Sequence, residues 1–382
     1  MLALTGCIGK TYQLLLAARL TTYLTTNNLI DNTMQKAFLP GINGCIEHNI
    51  VMDEIIADAK AKHHTAHITF FDLEDAFGSV PHSLIDETFR RNHLPNNIID
   101  YFNNLYKNSK SVVSTSKFKT KPFCFRRGVF QGDPLSPIVF LLVFNPVLQS
   151  LKQEEEKYGY NLEDKRFITL PYADDFCIIT THKRSHQKII NTINNHVISM
   201  GMKLKPSKCR SFSISSGRPT SVSFSIGESM IPSIRDEDQK FLGKLLFFTG
   251  KSSDTFDYVK NVFKEALENI DKCAVRNEYK LWIYSNYLQP SKRFLLTIHN
   301  LNQTNLKNLD TFTDKFIKKW VGLPSCATNA IIHLQAGMNI KSILYMEAHC
   351  LSHTRTRLVI QCRGKFHVLI LKMEYNRKKS LF

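Results

Sequence analysis

The chain has 382 residues, 43% of them hydrophobic, enough for one large or two to three modest domains with a full core. No apolar run nears the roughly 18 residues of a membrane span, no basic-then-apolar leader opens the chain, and the nine cysteines form no Cys-x-x-Cys pair. A reduced intracellular protein, nuclear or cytoplasmic and without a membrane partner, is therefore expected, and its net charge of +17 points to a polyanion.

Residues 9–27 read as an amphipathic helix with Leu14, Leu15, Ala18 and Leu24 among polar positions. Pro40-Gly41 marks a turn, residues 44–62 a second helix, and residues 66–72 a short β-prone strand ending on Asp72. Pro81 suits the first turn of a helix over 81–91, and another helix covers 96–108. Residues 111–125 read as a strand pair, Gly132-Asp133-Pro134 as a loop with Asp133 as an N-cap, and 135–152 as a long apolar helix. Strands over 166–171 and 176–181 then flank Tyr172-Ala173-Asp174-Asp175, which places two adjacent carboxylates at a hairpin tip. A helix over 185–200 ends at Gly201-Met202, and 204–214 leads into strands. Residues 221–226 and 230–234 form a hairpin around Gly227, and 241–248 hold a tight turn. From about residue 250 the pattern becomes helical, over 254–275, 281–300 and 304–320.

Charge divides along the same line. Residues 1–110 carry 9 Lys and Arg against 11 Asp and Glu, whereas residues 240–382 carry 23 against 10. The carboxylate-bearing half is nearly neutral and the C-terminal third is basic. His349 and His353, with Cys350 between them, have the spacing of zinc ligands, but no further ligand pair lies near in sequence. Arg126-Arg127 suits either a contact with a phosphate-bearing partner or a solvated loop.

Three motifs fall in a fixed order: Phe71-Asp72-x4-Phe77, then Gln131-Gly132-Asp133-Pro134-Leu135-Ser136-Pro137, then Tyr172-Ala173-Asp174-Asp175. Gly201-Met202-Lys203-Leu204-Lys205-Pro206-Ser207-Lys208, Phe241-Leu242-Gly243 and Trp320-Val321-Gly322-Leu323-Pro324 come after them. This series resembles the palm motifs of reverse transcriptases, above all those of non-LTR (LINE-type) retrotransposons, over roughly residues 1–350. The resemblance implies an α+β right-hand polymerase palm, an antiparallel sheet with packed helices, joined by partial fingers and a helical thumb. In residue terms it implies fingers over 1–65, a palm over 66–250 with an inserted fingers segment at 92–130, a thumb over 251–350, and a basic tail over 351–382.

It also implies an RNA-directed DNA polymerase that extends a DNA primer on an RNA template with dNTPs. Two magnesium ions, or manganese in their place, would serve phosphoryl transfer. Asp72 and Asp174 would hold both ions, with Asp175 in support and the Leu73 carbonyl completing one coordination sphere. Phe77 would exclude a 2′-OH, or else be a core aromatic. Gln131 and Gly132 would lie under the incoming base pair, and Lys208 would meet the leaving pyrophosphate or simply lie on the surface. Phe241, Leu242 and Gly243 would grip the primer. Lys260, Lys264, Lys272, Arg276, Lys280, Lys292, Arg293, Lys315, Lys318 and Lys319 would track phosphates.

The segment Leu4-Thr5-Gly6-Cys7-Ile8-Gly9-Lys10 resembles the stretch after the Arg-Pro-Ile strand of the fingers, so an N-terminally truncated chain is expected. Gln35-Lys36-Ala37-Phe38-Leu39-Pro40-Gly41 resembles the next fingers motif, with Leu39 where many relatives have Arg. These departures leave open a catalytically inactive, nucleic-acid-binding remnant. Phe77 and Ala173 argue against an RNA polymerase, which needs polar contact with the 2′-OH.

Overall fold

In the computed structural model the described residues are 6–299, 301–333 and 340–343. His349, Cys350, His353 and the basic stretch 351–382 lie outside them. The chain divides into two compact units, Met1–Glu237 and Asp238–Phe382.

The first unit opens with helices α1 (Cys7–Thr26) and α2 (Gly44–Ala61), then strand β1 (Ala66–Phe71). Three helices come next: α3 (Ala76–Ser79), α4 (His82–Arg91) and α5 (Asn96–Asn108). The expected strand pair over 111–125 shrinks to β2 (Lys110–Ser111) and β3 (Phe123–Cys124), because its Val113, Phe118 and Phe123 are exposed and have no sheet to bury against. Helix α6 runs over Ser136–Tyr158, longer than expected. It passes Pro146 and continues through Gln153, Glu154, Glu155 and Glu156, all good helix formers. A hairpin with no clear sequence signal succeeds it, β4 (Tyr160–Leu162) and β5 (Lys165–Phe167). Then come β6 (Thr169–Tyr172), β7 (Asp175–Thr180), α7 (Lys183–Ser199), β8 (Arg210–Ser215) and β9 (Arg218–Thr220). A small hairpin closes the unit, β10 (Ser225–Ile226) with β11 (Ser229–Met230), turning at Gly227 as expected.

The main sheet has the order β6-β7-β1-β8-β9, and every pairing in it is antiparallel. Strand alternation assigns its faces. Thr69 bonds His186 of α7, and Phe71 stacks on Phe176, which meets Phe144 of α6. Helix α2 packs on β6 and β8. Helix α1 departs from the expected pattern. Leu14, Leu15 and Ala18 are exposed, whereas Gln13 is buried beside Leu20 and Leu24. Gln13 Nε2 donates to the buried Asp133 at 3.3 Å, and this polar contact sets the rotation of α1.

The second unit begins with the hairpin β12 (Gln239–Phe241) and β13 (Lys244–Leu246). Its helices are α8 (Ser252–Lys272), α9 (Asn277–Ile283), a π-helical turn over Tyr284–Leu288, α10 (Gln289–His299), α11 (Gln303–Val321) and α12 (Ala330–His333). The Asn302 side chain caps α11 through Asn305 N at 2.7 Å, and Gly322 at φ +71° ends it. The division falls before residue 250 because β12–β13 packs with α10: Leu245 N reaches His299 Nε2 at 3.4 Å. Among the described residues no helix is long and apolar enough to cross a membrane.

Candidate active site

Asp72 directly succeeds β1, and Phe71 pairs with Phe176 of β7, so Asp72 sits beside the start of β7. Tyr172 pairs with Asp175, which leaves Ala173 and Asp174 as the turn between β6 and β7. Ala173 takes φ +57°, the left-handed region, which costs a residue with a Cβ roughly 1 kcal/mol. Sheet order alone therefore brings Asp72, Asp174 and Asp175 to one end of two neighbouring strands.

Electrostatics ties the first pair together. Burial raises the Asp174 carboxyl above its usual range and the charge of Asp72 pushes the same way, while Asp174's own backbone N–H opposes both. Asp175 lies toward α2. Its charge helps burial raise the thiols of Cys45 in α2 and Cys177 in β7. Among the described residues no three His, Cys, Asp or Glu side chains converge as a metal cluster. The donor set still suits a hard divalent cation, because two mutually repelling carboxylates offer only oxygen. A backbone carbonyl can join them. Glu74 N donates to Lys203 O and Lys205 N to Asp72 O, both at 2.9 Å, and Leu73 opposite Leu204 takes no part in those two bonds.

Lys208 is exposed at the end of the next turn, its N–H 2.9 Å from Lys205 O. Its neighbour Cys209 is buried with Sγ 3.5 Å from Asp72 N, and burial pushes this thiol up to about 11. Phe77 is half-buried and stacks on Phe140 at 4.7 Å. The contacts continue through Phe144 and Phe176 to Phe71, so one row of rings joins Phe77 to both carboxylate-bearing strands. Gln131 and Gly132 are exposed at the loop before α6, with Gly132 at φ +97°. Asp133 turns inward instead, accepting from Leu135 N at 2.9 Å, and burial raises its carboxyl. It shapes the approach to α6 rather than capping the helix, whose N-cap is Leu135. Arg127 donates to Gly201 O at 2.9 Å, which is a structural contact.

In the second unit, Leu242 and Gly243 form the turn between β12 and β13, both with positive φ, and Phe241 is fully buried. A Cβ at Gly243 would stand 2.7 Å from the Phe294 ring, so this turn needs glycine on two counts. The basic residues divide into two sets. Lys264, Lys272, Arg276, Arg293 and Lys315 are exposed, Lys260 and Lys292 are partly so, and Arg276 lies over the Tyr279 ring at 5.2 Å. Lys318 is buried, donating to Ser325 O and Ala327 O at 3.3 and 2.6 Å, so it does not face a polyanion as the sequence suggested. Lys280 and Lys319 are held by Asp271, through its carbonyl and its carboxylate.

Sequence reasoning missed the residues that grip the hairpin from outside. Gln35 Oε1 accepts from Ala173 N at 3.1 Å, and His48 Nε2 donates to Pro171 O at 2.9 Å. The Cys45 thiol lies beside the Tyr172 hydroxyl. The only hint was the resemblance of residues 35–41 to a fingers motif, and that says nothing about which atoms touch.

The family model described as reverse transcriptase (RNA-dependent DNA polymerase) matches residues 1–258. The chain is 25% identical over 323 residues to the Retrovirus-related Pol polyprotein from type-2 retrotransposable element R2DM of Drosophila melanogaster, covering 82% of this chain and 30% of that one. It is 26% identical over 306 residues to the corresponding type-1 R2 polyprotein of Nasonia vitripennis, covering 78% of this chain and 29% of that one. It thus spans about a third of the length of these relatives. Among solved structures it is similar to apo telomerase from Candida tropicalis, with 12% identity, a TM-score of 0.48, and coverage of 94% of this chain and 59% of that one.

Proposed function

Because the chain belongs to the reverse transcriptase (RNA-dependent DNA polymerase) family, we propose that it extends a primer 3′-OH with dNTPs on an RNA template, and that it is retrotransposon-derived. The observation that carries this reading is the convergence of Asp72 and Asp174 at adjoining strand ends, where burial raises the Asp174 carboxyl and the charge of Asp72 pushes the same way. In this reading Asp72 and Asp174 hold the ions, the Leu73 carbonyl adds a ligand, and Asp175 supports from the α2 side. Two magnesium ions, when bound, supply the positive charge that activates the primer hydroxyl and holds the triphosphate.

The protein's own residues do the rest. Phe77, fixed against Phe140, closes the space a 2′-OH would need. Gln131 and Gly132 offer exposed backbone beneath the new base pair. Lys208 meets the leaving pyrophosphate with its ammonium. The Phe241-Leu242-Gly243 turn grips the primer, and Lys260, Lys264, Arg276 and Lys315 face the hybrid's phosphates. We assign residues 1–65 and the segment 92–130 to the fingers, 66–250 to the palm and 251–350 to the thumb.

The test is primer extension on poly(rA)/oligo(dT). The expected result is magnesium-dependent incorporation of dTTP over UTP, abolished by EDTA and reduced at least about 1000-fold in Asp174→Ala, the scale at which removing one key electrostatic group acts. Preferential use of UTP would overturn the reading. Salt-sensitive binding of hybrid without any extension would instead identify a catalytically inactive remnant.

A further inference from the structure

Four contacts join the segment before α2, and α2 itself, to the β6–β7 hairpin. Lys36 N donates to Pro171 O at 3.4 Å and His48 Nε2 to the same oxygen at 2.9 Å. Cys45 lies beside Tyr172. These three hold the strand. The fourth reaches the turn: Gln35 Oε1 accepts from Ala173 N at 3.1 Å and from Ala37 N at 2.9 Å. Gln35 and Ala173 are each 2% exposed, so no solvent stands ready to replace the bond. Gly44 makes the approach feasible, since a Cβ there would fall 2.3 Å from Lys36 Cβ.

We propose that Gln35 is a positioning residue for DNA synthesis, fixing the Ala173–Asp174 turn and so the direction of the Asp174 carboxylate. The proposal rests on the reading that Asp174 holds metal. Its logic is the cost of an orphaned amide. Without Gln35 the Ala173 N–H is buried and unpaired, a desolvation penalty added to a turn already in the left-handed region. Rotating the Tyr172–Ala173 peptide relieves that penalty and moves the next residue, Asp174. The strand stays anchored through Pro171 and Tyr172, so the damage is confined to the tip. The acceptor oxygen is the working atom, because Gln35 Nε2 is buried with no partner.

The experiment tracks amide exchange at Ala173 in protein labelled with 15N-alanine, together with steady-state extension. In Gln35→Met, which keeps length and loses the acceptor, Ala173 exchange accelerates at least about 10-fold and kcat falls about 10- to 100-fold with the KM for dTTP within twofold, the scale set by small misplacements of reacting groups. Gln35→Glu, which keeps an acceptor oxygen, holds Ala173 protection within about threefold of wild type by the same bond. It also carries the test if Gln35→Met does not fold. The proposal is overturned if Gln35→Met leaves Ala173 exchange and kcat unchanged, or if Gln35→Glu loses protection. A wild-type protein that never extends primer would sink the polymerase reading, while the exchange measurement still decides whether Gln35 holds the turn.

Discussion

A ring stacked at 4.7 Å on a fully buried neighbour cannot easily swing aside, and Phe77 is such a ring. If it closes the space beside the sugar, Phe77→Ala raises kcat/KM for UTP relative to dTTP at least about 10-fold, or about 1.4 kcal/mol of selectivity. An unchanged ratio would leave Phe77 as a core aromatic and nothing more. At this scale the sequence was informative wherever chemistry and turn residues coincided. Asp72, Asp174, Gly132 and Gly243 stand at strand ends and tight turns that composition alone marks. Gln35 was not legible, because its bond to Ala173 spans 138 positions and leaves no local period. Lys318 misled for the opposite reason: a lysine reads as surface until carbonyl oxygens inside the fold are seen to claim it.

The main sheet carries a polar tier behind its apolar row. His186 is fully buried, bonded to Thr69 at 2.7 Å and Thr180 at 2.9 Å, and His67 bonds Ser213 at 2.9 Å. Burial, the largest cause for each, holds His186 well below its usual range, His67 at about 4 and His48 in α2 at about 3. Protons therefore bind the unfolded chain more readily. The stability these groups contribute is complete above about pH 6.5 and is lost as pH falls toward 4. In the second unit His299, held by burial at about 4, follows the same sign, but at His333 the sign reverses. Asp314 raises His333 to about 9, so the stability from that pair is complete below about pH 6.5 and disappears as pH rises through 9. Thermal unfolding monitored by hydrogen exchange should show the first unit weakening between pH 6.5 and 4 and the His333–Asp314 contact of the second unit weakening between pH 6.5 and 9; acid resistance in the first unit would refute the tier's role. Helix existence was readable from apolar period, but helix rotation was not. Leu14 and Leu15 predict the buried face of α1, and the buried pair Gln13–Asp133 overrides them.

For the whole molecule, the unequal charge of the two ends means that the proposed association with nucleic acid would fall to the second unit's exposed cations. Lys264→Ala with Lys315→Ala should flatten the slope of log K against log salt by about 2, near 0.9 for each phosphate left without its cation. Lys318→Ala should leave that slope unchanged and lower Tm, because its ammonium is spent on Ser325 and Ala327. Equal slopes for both variants would show that these surface lysines do not touch phosphate. The location of the basic third was visible from counting. Which of its cations are already engaged required the fold, since Lys318 is buried against carbonyls and Asp271 bonds two others.

Among the described residues exposure sorts the cysteines into two groups, with the half-buried Cys45 between them. Cys7, Cys124, Cys273 and Cys326 are exposed, whereas Cys177 and Cys209 are buried with their ionisation suppressed. Alkylating reagents meet the first group directly at the surface and reach Cys209, whose Sγ lies against Asp72 N, only when the strand bearing that carboxylate lifts away. The cysteine that touches the Asp72 end of β1 is thus a built-in clock, and the rate of its capture times how often that strand opens.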